Sequence, residues 1–121
     1  MGVRYLDNWV DSLSDGVWNE FAATLGGLQV LPRQFWRRPQ FDLLGEPYQG
    51  IGEIRFRAER KQFRVFGFFG PRAQQFTLLH ACIKQRSDIS NEMDIAAQRK
   101  HLLAVGRGTV YEFTIKRRPH R

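Results

Sequence analysis

The stretch GIGEIRFRAERKQFRVFGFFGPRAQQFTLLHACIKQ, Gly50 to Gln85, decides how the chain folds. Within it Ile54, Phe56 and Ala58 alternate with Glu53, Arg55 and Arg57, the two-residue repeat of a strand with one apolar and one polar face. Glu59 to Gln62 reads as a polar turn. Phe63 to Phe69 is a second strand, with Arg64 at its exposed start, and Gly70-Pro71 breaks it. Phe76 to Lys84 is a third strand. It is apolar on both faces except at Thr77, His80 and Lys84, which marks it as central. Three consecutive strands joined by short turns make an antiparallel meander.

Working outward toward the N-terminus, the period changes to that of helices. Leu6, Trp9, Val10 and Leu13 fall on one stripe of a helix over residues 5–13, with Asp7 and Asp11 on its other side. Ser14 or Asp15 caps a second helix, where Val17, Trp18, Phe21, Ala22 and Leu25 repeat the stripe and Gly26-Gly27 stops it. The short link between them implies an antiparallel helical hairpin. Leu28 to Gly50, broken by Pro32, Pro39 and Pro47, reads as an irregular connection.

On the C-terminal side Ser90, followed by Glu92 and Asp94, opens another helix with negative charge near its N-terminus. Met93, Ala96, Ala97 and Leu103 face inward, and Gly106 ends it. Thr109 to Ile115 is β-prone, with Tyr111, Phe113 and Ile115 alternating against Glu112 and Thr114. The basic tail, residues 116–121, is expected to fray. The fold class is therefore α+β: an N-terminal helical hairpin packed on a meander, a further helix and a C-terminal strand, all in one domain spanning residues 1–121.

Composition narrows the function classes. With 42% hydrophobic residues the chain has enough apolar material for a core, which argues against disorder. No apolar run approaches the roughly 20 residues of a membrane helix. Met1 to Arg4 is not followed by a signal-type apolar run, and Leu6 stands where a myristoylation pattern wants Ser or Thr. One cysteine, Cys82, forms no internal disulfide, which suits a reducing, cytoplasmic compartment.

Charge is unevenly spread. Arg4 is outweighed by Asp7, Asp11, Asp15 and Glu20 in the first 32 residues, yet the whole chain carries a formal charge of +7. The excess base lies beyond that point and is mostly arginine, whose planar fork matches phosphate. A phosphate-rich partner is the leading explanation; a solvated basic surface or an acidic protein partner are the alternatives. The acidic N-terminal hairpin offers no recognition helix for DNA.

The search for chemistry leaves one constellation. His80, His101 and His120 share no ligand spacing with Cys82 or with carboxylates, so no metal site and no cofactor are expected. Cys82, between Ala81 and Ile83, reads as a buried small apolar residue. Arg55 and Arg57 share one face of the first strand, Lys61 sits in the turn, Arg64 begins the second strand, and His80 and Lys84 share a face of the third. Ribonuclease chemistry needs such a set. A base takes the proton of a ribose 2′-hydroxyl, cations stabilise the charged phosphorus intermediate, and an acid protonates the leaving 5′-oxygen. The alternatives are a solvated strand face for the arginines and a hydrogen-bonded core histidine for His80.

Taken together, Gly52-Glu53-Ile54-Arg55, Phe63-Arg64-Val65, Leu78-Leu79-His80 with Lys84, and the DIAAQR segment Asp94 to Arg99 make the chain resemble the phage-derived, HigB-like branch of the RelE toxin superfamily. The two N-terminal helices stand in the matching order. The resemblance implies the toxin of a type II toxin–antitoxin pair: a metal-independent mRNA endonuclease acting at the ribosome and silenced by an antitoxin, expected to be of helix-turn-helix type. It implies no small-molecule ligand and no membrane. By position it implies that Arg64 stabilises the transition state, that His80 or Lys84 moves protons, and that Arg55 binds phosphate, with Arg57 and Lys61 in support. The same fold also fits a non-catalytic basic RNA- or protein-binding module of phage origin. The family usually begins with a strand before the helical hairpin. Here the helix comes almost at once, so residues 109–115 are expected to pair with an edge of the meander in that strand's place.

Overall fold

The structure, a computed structural model, describes residues 6–72 and 75–105. It is an α+β arrangement of N-terminal helices, a four-stranded antiparallel sheet and a last helix. Two helices come first: α1 (Asp7–Ser12) and α2 (Asp15–Gln29). Ser14 begins α2 by accepting the Val17 N–H on its hydroxyl oxygen at 3.2 Å, satisfying one of the donors a helix start leaves open. The expected stripes are the buried ones: Leu6, Val10 and Leu13, then Val17, Trp18, Phe21 and Leu25. The helix does not stop at Gly26-Gly27. It runs on to Gln29, because Leu28 is buried one turn beyond Leu25 and its packing outweighs the roughly 1 kcal/mol that each helical glycine costs.

The connection from residue 28 to 50 is more ordered than its prolines imply. It contains a 3₁₀ turn over Arg33–Phe35 and a short strand, β1 (Phe41–Leu43). β1 pairs antiparallel with β2 (Gly52–Ala58), followed by β3 (Lys61–Phe69) and β4 (Phe76–Ile83), in the order β1-β2-β3-β4. The edge beside the first meander strand is thus occupied by β1. The segment expected to fill it, residues 109–115, lies outside the described residues. β4 is not central: among the described residues it is an edge strand. Its two apolar faces arise because both are covered, one by aromatic residues and the other by α3 (Ser90–Ala104).

The β2–β3 connection is tighter than expected, with Glu59 and Arg60 as the two turn residues at φ 51° and 66°. Hairpin turns with positive φ at both positions normally take Asn-Gly or Asp-Gly, and other side chains are strained there by about 1 kcal/mol or more. Glu59 is anchored: the Ser14 hydroxyl donates to its carboxylate at 2.7 Å.

The sheet divides two cores. On one face Phe41, Ile54, Phe56, Phe63 and Val65 meet the helices, with Phe21 against Trp9 (centroids 5.3 Å), Trp18 (5.9 Å) and Phe56 (5.5 Å). On the other Ile51, Phe66, Leu79 and Ala96 are buried, with Met93, Ala97 and Leu103 of α3 packed around them. A bulge gives β4 its access to that second core. Phe66 pairs with His80 but Gly67 pairs with Leu78, so Leu79 is the extra residue, and it and His80 both lie toward α3.

Gly67 permits the close strand approach at this bulge. A Cβ there would run into the Thr77 carbonyl oxygen and the Phe76 ring. Gly67→Ala is expected to destabilise the fold by about 1–3 kcal/mol, the usual cost of overpacking, read as a lower urea midpoint.

Candidate functional site

The face of the sheet turned toward α3 carries the polar residues in rows set by strand register. Asp42, Glu53, Phe66 and His80 form one row, and Arg55, Arg64 and Cys82 the next. A third contains Arg57 and Gln62, and it continues to Lys84, whose backbone N–H donates to the Gln62 carbonyl at 2.7 Å. Rows two residues apart along a strand are about 7 Å apart. The register therefore brings together Arg55, Arg57, Arg64, His80 and Lys84, which the sequence alone spreads over three strands. Lys61, at the start of β3, pairs with Ala58, so the alternation assigns it to the opposite face, at the hairpin end of the sheet.

Arg64 is not the exposed cation expected from its place in the sequence. It is 4% exposed, enclosed within the sheet face against the Glu53 side chain. Its guanidinium Nη1 donates to the Phe63 carbonyl at 3.0 Å and Nη2 to Gln62 Oε1 at 3.2 Å, while Nε lies 3.7 Å from Glu53. Glu53, 6% exposed, was missed in the sequence reading. It lies between two arginines, with Arg55 Nε at 3.6 Å from its other oxygen. Both distances are ion-pair contacts longer than a charge-assisted hydrogen bond. Arg55 has 21% of its side chain exposed and meets Glu53 through Nε.

Burial governs this trio electrically. It pushes the Glu53 carboxyl above its ordinary 4.5, and the guanidiniums of Arg64 and Arg55 pull it back only in part. Burial likewise lowers Arg64, helped by the like charge of Arg55. Cys82, in the same row, has its thiol pushed up to about 11, chiefly by burial, so it is an inert packing residue and no thiolate nucleophile.

His80 is held on both sides. Arg99 Nη1 lies 3.3 Å from Nδ1 and also donates to the Leu79 carbonyl at 2.9 Å. Arginine only donates, so Nδ1 accepts and Nε2 carries the proton toward Glu92 Oε1, 2.6 Å away. The ring also stacks parallel to Phe66, at a centroid distance of 6.4 Å. This arrangement pins β4 to α3 and leaves neither ring nitrogen open to a substrate. Lys84, by contrast, is half-buried at the groove end of the face. Among the described residues no group of His, Cys, Asp and Glu side chains has the arrangement of a metal site.

Helices on one face of a four-stranded antiparallel sheet, and a basic, partly helix-covered opposite face, define an α+β protein of the RelE-like class. The chain belongs to the phage-derived Gp49-like protein family (DUF891), whose model matches residues 8–101. That family lies within the RelE/HigB-like toxin superfamily, and its members are commonly toxins of toxin–antitoxin systems, whose partner is an antitoxin. None of the curated proteins and none of the solved structures matches the chain. Among the described residues no helix is long and apolar enough to cross a membrane.

Two measurements check the buried trio. Arg64→Ala leaves Glu53 buried with Arg55 as its remaining cation, and is expected to cost about 3 kcal/mol in urea unfolding. The second is pH. The folded state holds the Glu53 proton more tightly than the unfolded state. Its contribution to stability is therefore present in acid and is lost as pH rises from 4.5 through the raised folded value. Wild type should gain stability relative to Glu53→Gln as pH falls across that window. A difference of opposite sign contradicts the burial effect.

Proposed function

We propose that this protein is a HigB-like toxin that cleaves mRNA at the ribosome without a metal, in the cytoplasm, and is held inactive by a helix-turn-helix antitoxin. The observation that carries this reading is Arg55. Its Nε lies 3.6 Å from a buried carboxylate while 21% of its side chain stays exposed, beside the row of Arg57 and Lys84. A cation fixed in advance stabilises developing charge without reorganising during the reaction.

In the proposed reaction the ribose 2′-oxygen attacks phosphorus, and the bond from phosphorus to the 5′-oxygen breaks. Negative charge develops on the phosphoryl oxygens, where Arg55 binds, with Arg57 and Lys61 along the strand. Arg64 acts from beneath, as fixed charge and as a brace for Glu53. Lys84, on the accessible face, gives its ammonium proton to the leaving 5′-oxygen, while solvent water takes the proton of the attacking 2′-hydroxyl and afterwards restores the charge of Lys84. His80 holds β4 against α3, and reaches a substrate only if its contact with Glu92 or Arg99 opens.

The engaged ring nitrogens of His80 and the high pKa of Cys82 favour a second reading, a non-catalytic RNA-binding module. A translation extract programmed with a reporter mRNA separates the two. Cleavage is expected, unaffected by a chelator, with 5′-hydroxyl ends. Arg55→Ala should reduce its rate about a hundredfold, equivalent to about 3 kcal/mol, at a temperature where the variant, though less stable for the loss of a Glu53 partner, is still fully folded. Intact mRNA at wild-type protein concentrations that shift RNA mobility would leave the binding module standing.

A further inference from the structure

The cations of the sheet face continue past the last register row. Where the β2–β3 turn meets the chain leaving β4, a shallow groove of about 470 Å³ opens, lined by Arg60, Lys61, Gln62, Lys84, Gln85 and Arg86 among others. No carboxylate lines it. Among the described residues none of its four cations has an ion-pair partner, although Arg38, Arg55, Arg64 and His80 elsewhere do. Arg86 feels the charge of Asp88 and Lys84 that of Glu53, but the cations outnumber these carboxylates, and an anion from outside relieves their mutual repulsion.

The turn at the lip of the groove supplies a separate observation. Both its residues are in the left-handed region, where glycine fits without strain and arginine does not. Glu59 has a structural reason to be there, since Ser14 ties it to the start of α2. Arg60 makes no such contact among the described residues. It is exposed, strained and directed to a groove of other cations. Backbone strain retained at an exposed position without a structural partner marks a functional position.

We propose that this groove binds the phosphodiester backbone of a single RNA strand, as a subsite that adjoins the cleavage centre at Lys84, with Arg60 and Arg86 as its two dedicated cations. The inference rests on RNA being the partner of the neighbouring face. A single strand crossing the rows of Arg55 and then of Arg57 and Lys84 reaches the groove next. The lining contains no aromatic ring on which a base could stack, so the contact is to phosphate and is indifferent to sequence. The groove raises affinity along the strand and leaves the chemistry to the rows beside it.

The test uses the full chain and a labelled 2′-O-methyl RNA oligonucleotide, which has no free 2′-hydroxyl and is not cut, titrated at several salt concentrations. Each phosphate contact adds about −0.7 to the log–log slope of affinity against salt. The Arg60→Gln, Arg86→Gln double variant should therefore flatten the slope by about 1.4, equally for a single-stranded DNA of the same sequence. On a cleavable RNA its KM should rise and its kcat stay as in wild type. Arg60→Gly guards against misfolding: it should flatten the slope by about 0.7 while raising the melting temperature, because the turn strain is relieved. An unchanged slope in the double variant overturns the proposal, as does a wild type whose RNA affinity ignores salt. So does a double variant that loses affinity for polyglutamate but keeps the wild-type RNA slope, which would make the groove a protein dock. If wild type cuts no RNA but the slopes change as stated, the groove stands and the nuclease reading falls. If RNA is cut and the slopes do not move, the groove alone falls.

Discussion

Glu53 is a carboxylate almost sealed from water, with a guanidinium on either side, and the layout of the polar sheet face follows from it. At about 3.7 Å and an effective dielectric of about 20, each attraction is worth about 4 kcal/mol before solvation is counted. Removing the ions from water costs several kcal/mol apiece. The cost wins on both sides of the Glu53–Arg64 pair, since the acid is pushed toward its neutral form and the base is made easier to deprotonate. Such a cluster is a poor source of stability. What it fixes is geometry: Arg64 is held by Gln62 and by the Phe63 carbonyl, Glu53 rests on it, and Arg55, partly exposed, meets the other oxygen of Glu53.

Charge on this face is graded from one end to the other. Near α3 each polar group has a partner inside the protein: His80 has Glu92 and Arg99, and Tyr48 donates to Asp94 at 2.7 Å. In the middle two cations share one anion. At the hairpin end the cations form no ion pair among the described residues, although Arg86 feels the charge of Asp88 and Lys84 that of Glu53. The field therefore strengthens along the sheet toward the β2–β3 turn. A polyanion would be drawn first to that end and then along the rows.

Much of this was legible in the sequence. The alternation of Ile54, Phe56 and Ala58 with charged residues fixed the strand and its faces, and the stripes through Val10 and Phe21 fixed the helices. β1 was hidden because a three-residue strand among prolines has no period to detect, and its pairing with β2 is a long-range fact. Gly26-Gly27 misled because local propensity was overruled by the burial of Leu28. Arg64 misled for another reason. A polar strand face has the same pattern whether it is open to water or enclosed by its neighbours, and only the packing around Glu53 tells the two apart. One signal was available: Glu53 on the neighbouring strand lies diagonal to Arg64, a placement that allows an ion pair. The contact between His80 and Glu92 left no local trace, since it depends on how α3 docks.

The strand order β1-β2-β3-β4 means that each strand lies beside its neighbour in sequence. No crossover is needed, and the turn between β2 and β3 closes over two residues. Chain entropy is therefore lost in small steps, each repaid at once by a ladder of hydrogen bonds, the circumstance in which chains fold fast. The helices that cover the aromatic face precede the sheet, whereas the helix that packs on Leu79 and His80 follows it. As the chain leaves the ribosome, the aromatic core can close before the charged face is covered. The hydrophobic half of the protein is then already secure when the cationic half first meets the RNA-rich surroundings of its own synthesis.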